Sequence, residues 1–521
     1  MNGFLARHAD SVTGILSGFD RLVLRGTLRA LSAVEVMMQY LSSNKVLLKD
    51  FGEHVQSVSD RVKRAAYAAA AAAACPVLYL ESSAIRKEDV ARQLAAERHV
   101  EAGPIALLTC VEGCRSYAIH RNAETKHLEL QFPIRRCLHL YRYQIHPVFG
   151  FMHVRLQTWF PFTIHVCLNG REWLSRQMDR ERIGYVRKEN CFTHMDDVAR
   201  AQALFDQQTQ AAWPALLDEL RREIHPLHDE IFRDFSLNYY WTGYQSEYAT
   251  DVMFRSPRDL AALMPLFVRH AMTTFGSRDV MRFLGRRVPA GGGVNRRFKG
   301  EVVTDLKERP EGVCVRHRMN GNSIKMYDKH GNLRVETTVN EPEEFLSFRT
   351  REGDPGGEKA WRRMRRGIAD LHRRAEVSCQ ANERYLEALA TVKADDSLKT
   401  VAEPLCRPVK CKGRRARAMN PLAAEDARLL ESVNRGEFTI NGFRNRDLRA
   451  LLYPEDPSTP QEGKKRSAAV TRKIRLLRAH GLIHKAPRTH RYKVSPRGRS
   501  AIVALVVARQ ASIKALAEAA A

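Results

Sequence analysis

The sequence predicts an α+β, multidomain protein: a mixed helical and antiparallel-sheet body with a small C-terminal module of helices and a two-stranded hairpin. Three observations carry this. At 521 residues the chain exceeds one ordinary domain. Its 44% apolar content is enough for real cores. Strand-like runs and helical periodicities come in blocks, which favours α+β over strictly alternating α/β.

Residues 1–75 read as an N-terminal helical region, interrupted by the strand-like Asp20-Arg-Leu-Val-Leu-Arg-Gly26. It ends in the alanine-rich run Ala65 to Ala74, which has high helix propensity and nothing to recognise, as suits packing or a spacer. Residues 76–290 read as an α+β body. Pro76–Leu80, a helix over Arg86–Glu97 and Pro104–Cys110 suggest a β-α-β unit. Strands are expected at Ser116–His120, His127–Phe132, Cys137–Ile145, Phe151–Trp159 and Thr163–Leu168, after which Asn169-Gly170 opens a helix. Helices follow over Val198–Arg233, Pro257–Thr274 and Arg278–Leu284.

Within the body, Tyr244, Glu247, Tyr248 and Asp251 recur at three or four residues, which places them on one face of a helix. The plain interpretation is a buried helix with satisfied hydroxyls. The functional one is a tyrosine nucleophile beside a carboxylate-held metal.

Residues 291–397 begin at Gly291-Gly-Gly293 and continue as a four-strand meander: Glu301–Asp305, Val313–Met319, Ser323–Asp328 and Leu333–Val339. Turn signals at Pro310-Glu-Gly312, Asn320-Gly321 and His330-Gly331 punctuate it. A long helix should follow, with Trp361, Met364, Ile368, Leu371 and Ala375 on one stripe and Arg362, Arg363, Arg365, Arg366, Arg373 and Arg374 on the other. Residues 398–420 read as a basic linker in which Arg414, Arg415 and Arg417 would meet a nucleic-acid backbone, and residues 421–510 hold the final module.

The formal charge is +26, from 85 Lys and Arg against 59 Asp and Glu. Such an excess draws phosphates and raises association rates. An anionic membrane is the rival partner, but no 18-residue apolar run exists and Met1-Asn-Gly-Phe-Leu-Ala-Arg-His has no secretory core, so no membrane association is expected. The ten cysteines are dispersed, which makes a reducing cytoplasm the expected location and small buried thiols their ordinary role. Cys110/Cys114 and Cys406/Cys411 lack a second pair at zinc spacing, so no metal ligand is assigned. No cofactor motif is present: phosphate loop, dinucleotide fingerprint and serine-hydrolase elbow are all missing.

The strongest signal lies near the C-terminus. Phe438 to Tyr453 reads as a support helix, Gly463 to His480 as a recognition helix, and Gly481 to Ser495 as a wing, the order of a winged helix-turn-helix. Val470, Ile474 and Leu477 fall on one stripe and should face the core. Lys465, Ser467, Ala468, Thr471, Arg472 and Arg475 are then available to DNA, and Arg488, Arg491 and Lys493 of the wing lie near phosphates. Winged helices also dock proteins, but a basic recognition helix favours nucleic acid. Over residues 421–500 the layout resembles that of MarR-type regulators.

The second signal is Asn322-Ser-Ile-Lys-Met-Tyr-Asp-Lys329 followed by Arg334-Val-Glu-Thr-Thr-Val339. These strands resemble the nicking domain of rolling-circle replication initiators, a resemblance covering about twenty residues. It implies that Glu336 presents a carboxylate near Mg or Mn, with Tyr327 and Lys329 on the DNA-facing side as the catalytic candidates. By alternation Lys325, Tyr327 and Lys329 share a face, as do Arg316 and Arg318 on the neighbouring strand, and Lys325, Arg316 and Arg318 would track a backbone. The superfamily's His-hydrophobic-His metal motif is absent, and no nucleophilic tyrosine stands directly upstream. An Arg334–Glu336 ion pair with a core Tyr327 is the plain alternative.

A third signal is Arg135-Arg-Cys-Leu-His-Leu-Tyr-Arg-Tyr143 with His153, Arg155, Trp159 and His165 on later strands, basic and aromatic residues interleaved as on a base-stacking sheet. Gly18 to Gly26, Gln157 to Phe162 and Asn322 to Lys329 together resemble a family of long bacterial proteins known by a regulator-like C-terminal domain, a resemblance that implies no activity. The expectation is therefore a cytoplasmic nucleic-acid-binding protein, with double-stranded DNA selected by the winged helix in regulation or in mobile-element biology. A metal-dependent tyrosine nickase and a structured-RNA binder are the alternatives. Self-association is left open.

Overall fold

The structure is a computed structural model that describes residues 2–286, 301–309, 312–351, 353–354, 356–390, 402–411, 413–433, 443–486, 489–495, 498, 501–502 and 505. The chain divides into two compact units: Ser11–Pro257 with Gly321–Asn382, the sheet unit, and Met1–Asp10 with Arg258–Asn320 and Glu383–Ala521. Helix and strand are both abundant, so the chain is an α+β multidomain protein. Among the described residues no helix is long and apolar enough to cross a membrane.

The principal strands are β1 (Val12–Thr27), β2 (Val77–Leu80), β3 (Gly103–Arg115), β4 (Ile134–His146), β5 (Gly150–Gln157), β6 (Ile164–Asn169), β7 (Tyr240–Phe254), β8 (Val302–Arg309), β9 (Gly312–Met319), β10 (Asn322–Lys329) and β11 (Asn332–Val339). In the sheet unit they lie in the order β10-β11-β7-β1-β6-β5-β4-β3-β2. Pairing is antiparallel except for the parallel edge pair β2/β3, which the helix Lys87–Glu97 connects.

One face of this sheet is apolar. Leu22, Leu24, Leu140, Met152, Val154, Leu156, Ile164, Val166 and Leu168 are buried there with side chains of helices Val34–Ser43, Phe51–Ala72 and Trp213–Ile224. The alanine-rich run belongs to the second of these, and Ala66 and Ala70 face the core, so it packs. On the other face stand Arg21, Arg25, His153, Arg155, His165 and Asn169. The period-2 alternation of a strand separates the two sets.

Several expectations change. Residues 1–75 are not simply helical, because β1 spans sixteen residues and lies between β7 and β6. The segment Tyr239 to Asp251 lies mainly in strand β7 rather than in a helix, because it pairs with β1 on one side and β11 on the other. The meander strands form as expected, with Asn320 and His330 in the left-handed backbone conformation that their tight turns require. The long basic helix is shorter: Trp361 lies in a strand, Ala360–Arg363, paired with Leu346–Arg349, and the helix runs over Leu371–Leu389.

In the second unit β8 and β9 form a hairpin. Farther along, helices Ala424–Val433, Asn445–Leu452 and Pro460–Ala479 and the ribbon Ile483–Lys485/Tyr492–Val494 enclose one core of Leu429, Leu430, Phe443, Leu448, Val470, Ile474, Leu477 and Ile483. Residues 398–420 do not form a free linker. Leu405 and Met419 are buried in that core, and Val409–Cys411 pairs with Arg414–Ala416.

Candidate functional site

The carboxylates of Asp20, Glu247 and Glu336 converge in the sheet unit, their oxygens within 4.8 Å of one another. Strand register explains the meeting. Glu247 opposes Arg21 across β7/β1, and Glu336 opposes Lys325 across β11/β10. On β1 the pairing steps from Phe19↔Tyr248 to Arg21↔Glu247, so Asp20 is the extra residue of a bulge. Close packing holds this bend. A Cβ on Gly18 would stand 2.2 Å from the Phe205 ring, and one on Gly170 would stand 1.8 Å from the Phe19 carbonyl oxygen.

Cations interleave with the acids. Arg334 makes a bidentate pair with Asp251, with Nη2 to Oδ2 at 2.8 Å, and its Nη1 reaches Asp20 at 3.2 Å. Asn190 donates to Asp20 as well, and its carbonyl oxygen accepts from Arg334 Nη2 at 2.7 Å. Arg171, fully buried, reaches Asp251 at 3.1 Å and donates to the Ala249 carbonyl. It is delivered by the first turn of helix Gly170–Glu181, where Asn169 accepts from the backbone N–H groups of Arg171 and Glu172. Arg334, Asp251 and Glu336 are each 1% exposed, so this is an interior ion network rather than a surface one.

Burial and like charge set the protonation. Burial pushes the Asp20 carboxyl up, against the pull of Arg334 and with Glu336 adding to the rise. Burial would also raise Asp251, but Arg334 and Arg171 hold it below the usual carboxylate range. Glu247 is pushed up to about 7 by burial and then by the charge of Glu336. Lys325 is raised, because Glu336 and Glu247 outweigh its burial. Three close carboxylates with two elevated pKa values can hold a shared proton or a hard cation.

The expected catalytic residues meet here, in other roles. Tyr327 donates to Glu336 Oε2 at 3.0 Å, and burial followed by the Glu336 charge holds its phenol well above the ordinary value. Lys325 lies 2.8 Å from Glu336 Oε1, so its charge is committed to that carboxylate rather than to a backbone. Lys329, 6% exposed, donates to Glu189 at 2.6 Å and does not stand on a DNA-facing surface. Arg334 pairs with Asp251, not with Glu336. Asp20, Arg171 and Asp251 complete the arrangement. The run Gly18-Phe-Asp-Arg was the one signal for Asp20, a charge pair inside a strand-like segment.

In the second unit Arg318 is paired with Asp305 at 3.2 Å, while Arg316 is half-buried. On helix Pro460–Ala479 the residues Lys465, Ala468, Arg472 and Arg475 are exposed, and Val470, Ile474 and Leu477 are buried. Ser467 and Thr471 differ from expectation. Asn445 Nδ2 donates to Thr471 Oγ1 and to the Ser467 carbonyl, both at 2.9 Å, so these side chains lie on the seam between two helices. Lys493 and Arg491 are half-buried. Burial and the neighbouring Arg278 and Arg282 lower the Lys493 ammonium. Arg415 and Arg417 are both exposed, and Arg417 makes a bidentate pair with Asp426. Arg414 falls in the strand Arg414–Ala416, and Arg488 lies outside the described residues.

The interleaved basic-aromatic strands also come together. Arg25, His165, Arg155 and Tyr141 are successive cross-strand partners on β1, β6, β5 and β4. No protein-family model, curated protein or solved structure matches this chain.

Proposed function

We propose that this is a nucleic-acid-binding protein whose C-terminal module is a winged helix-turn-helix docking on double-stranded DNA. The observation that carries this reading is the division of helix Pro460–Ala479: Lys465, Arg472 and Arg475 face solvent, opposite a stripe of Val470, Ile474 and Leu477. A helix held from behind by its apolar side, and basic in front, suits a major groove. The neighbouring ribbon adds Lys485 and Lys493, and the net charge of +26 favours a polyanion. A cytoplasmic location fits the free cysteines.

The test is duplex binding by fluorescence anisotropy across a salt series. K465A/R472A/R475A should flatten the logarithmic salt slope by up to about 2.7, since each lost phosphate contact removes about 0.9. An unchanged slope contradicts the reading.

A second reading is favoured by the convergence of Asp20, Glu247 and Glu336: phosphodiester cleavage with Mg or Mn on those carboxylates. In it Tyr327 positions Glu336 rather than attacking. Metal-dependent nicking of supercoiled DNA, lost in E336Q, supports it. No nicking with either metal on supercoiled or single-stranded substrates removes it. Structured RNA is the remaining alternative, supported by a discrete RNA that co-purifies and survives DNase.

A further inference from the structure

The sheet unit carries a second basic feature that the C-terminal module does not use. Arg25 on β1 opposes His165 on β6, which opposes Arg155 on β5. Opposed residues share a face, and neighbouring strands lie about 4.8 Å apart, so the three side chains form a row roughly 10 Å long. All three are half-buried. Among the described residues no carboxylate pairs with Arg25. The charges that act on it besides Tyr244 are those of Arg155 and Arg366, both cations. Arg155 has Glu112 at 3.4 Å, but Lys87 lies closer to that carboxylate, at 2.8 Å. Nε of Arg25, Nε of Arg155 and Nε2 of His165 are buried without a hydrogen-bond partner.

An aromatic platform adjoins the row. Tyr244 is the extra residue where the β1/β7 pairing steps from Val23↔Gln245 to Leu24↔Gly243. Its ring stacks on His165 at 5.2 Å with 20° between planes, Arg25 lies 5.6 Å from the ring centroid, and the side chain is 46% exposed. Four residues along β1, about 13 Å away, Arg21 opposes Glu247 of the carboxylate cluster. Burial, with Arg155 and Arg25 beside it, holds His165 neutral, so the charge of the row comes from the two arginines. Two buried guanidinium N–H groups without acceptors, next to an exposed ring, match a phosphate flanked by an unstacked base. A duplex keeps its bases stacked and cannot offer one to Tyr244.

We propose that Arg25, His165 and Arg155 receive the phosphodiester backbone of a single-stranded nucleic acid, with a base on Tyr244 and the strand continuing toward Asp20, Glu247 and Glu336. The inference rests on the nucleic-acid reading above and names a second ligand form for the same protein. The duplex would be held by the C-terminal module and the single strand by the sheet.

The test uses full-length protein with fluorescein-labelled oligo-dT, oligo-U and duplex DNA, titrated by anisotropy. R25Q should weaken single-strand binding by about tenfold or more while duplex binding stays within about twofold, and K465A/R472A/R475A should do the reverse. Y244A, at a ring that is 46% exposed, should weaken single-strand binding by about tenfold while leaving the urea midpoint within about 1 M of wild type. Competition by inorganic phosphate or polyglutamate as strong as by unlabelled oligo-dT overturns the proposal in favour of a free-phosphate or acidic-protein site. Single-strand binding unaltered in both R25Q and Y244A overturns it while leaving the nucleic-acid reading intact. A wild-type protein that binds neither duplex nor single strand removes both.

Discussion

In the C-terminal module the cations stand outside an apolar core, whereas in the sheet unit cations and carboxylates stand inside it. Lys465, Arg472 and Arg475 are exposed around Val470, Ile474 and Leu477. Arg171, Arg334, Asp251 and Glu336 are each at most 1% exposed; Asp251 takes both arginines, and Glu336 takes Lys325 and Tyr327. The first arrangement leaves charge free for a partner and contributes little to stability. The second commits charge to the fold, where breaking one pair strands its partner in a low-dielectric interior. The difference separates residues whose loss should cost binding from residues whose loss should cost folding.

The contrast can be broken at its strongest point first. R334A leaves Asp251 and Asp20 without their main cation and should destabilise the protein by about 3–5 kcal/mol in urea unfolding. A loss below about 1 kcal/mol would mean that the network is not structural.

Acid comes next. His139 and His225 are fully buried, and burial lowers their pKa values to about 4 and about 3 from 6.5. Their stabilising contribution is intact above pH 6.5 and is lost as pH falls toward those values, because only the unfolded state takes up the protons. At pH 5 each should cost on the order of 2 kcal/mol, read as a falling urea midpoint that H139Q or H225Q makes shallower.

Glu247 carries the opposite sign. Its raised folded value, about 7, means stability present below 4.5 and lost as pH rises through 7. E247Q should therefore stabilise the protein by roughly 1–3 kcal/mol above pH 7, and by nothing below about pH 4.5. Equal Tm values for E247Q and wild type at pH 8 would show that the carboxylates do not repel one another.

The smallest effect sharpens the other side. K465A/R472A/R475A should change unfolding free energy by no more than about 0.5 kcal/mol, while on the proposed function it should weaken DNA binding. N445A, which removes the bond to Thr471 and the Ser467 carbonyl, should cost about 1 kcal/mol, as a seam residue would.

The module and the meander were the most legible parts of the sequence, because their signals are local. Val470, Ile474 and Leu477 repeat at helical spacing, and Asn320-Gly321 and His330-Gly331 are turn dipeptides whose backbone angles the structure reproduces. What stayed hidden depends on long-range pairing. Asp20, Asp251 and Arg334 meet only because β1, β7 and β11 are neighbours, and no local pattern brings residues 20 and 334 together. Segment 239–251 misleads for a related reason. Tyr244, Glu247, Tyr248 and Asp251 mimic a helical stripe, while the C-terminal half of β7 is buried on both faces and so shows no strand alternation. The arginine-rich segment before Leu371 imitates a helix in the same way, yet Trp361 pairs with Phe348 in a hairpin. Ser467 and Thr471 carry a subtler lesson: helical phase placed them near the face expected to meet DNA, but Asn445 on the preceding helix already occupies them.

The most direct measurement is photocrosslinking of the full-length protein to 4-thiothymidine-containing DNA, in duplex and single-stranded form, with the attached peptides mapped by mass spectrometry. Duplex should label peptides from helix Pro460–Ala479 and its ribbon, and the single strand should label peptides from β1, β5, β6 and the Tyr244 region of β7. Labelling of neither set, or the same set with both forms of DNA, would contradict this account.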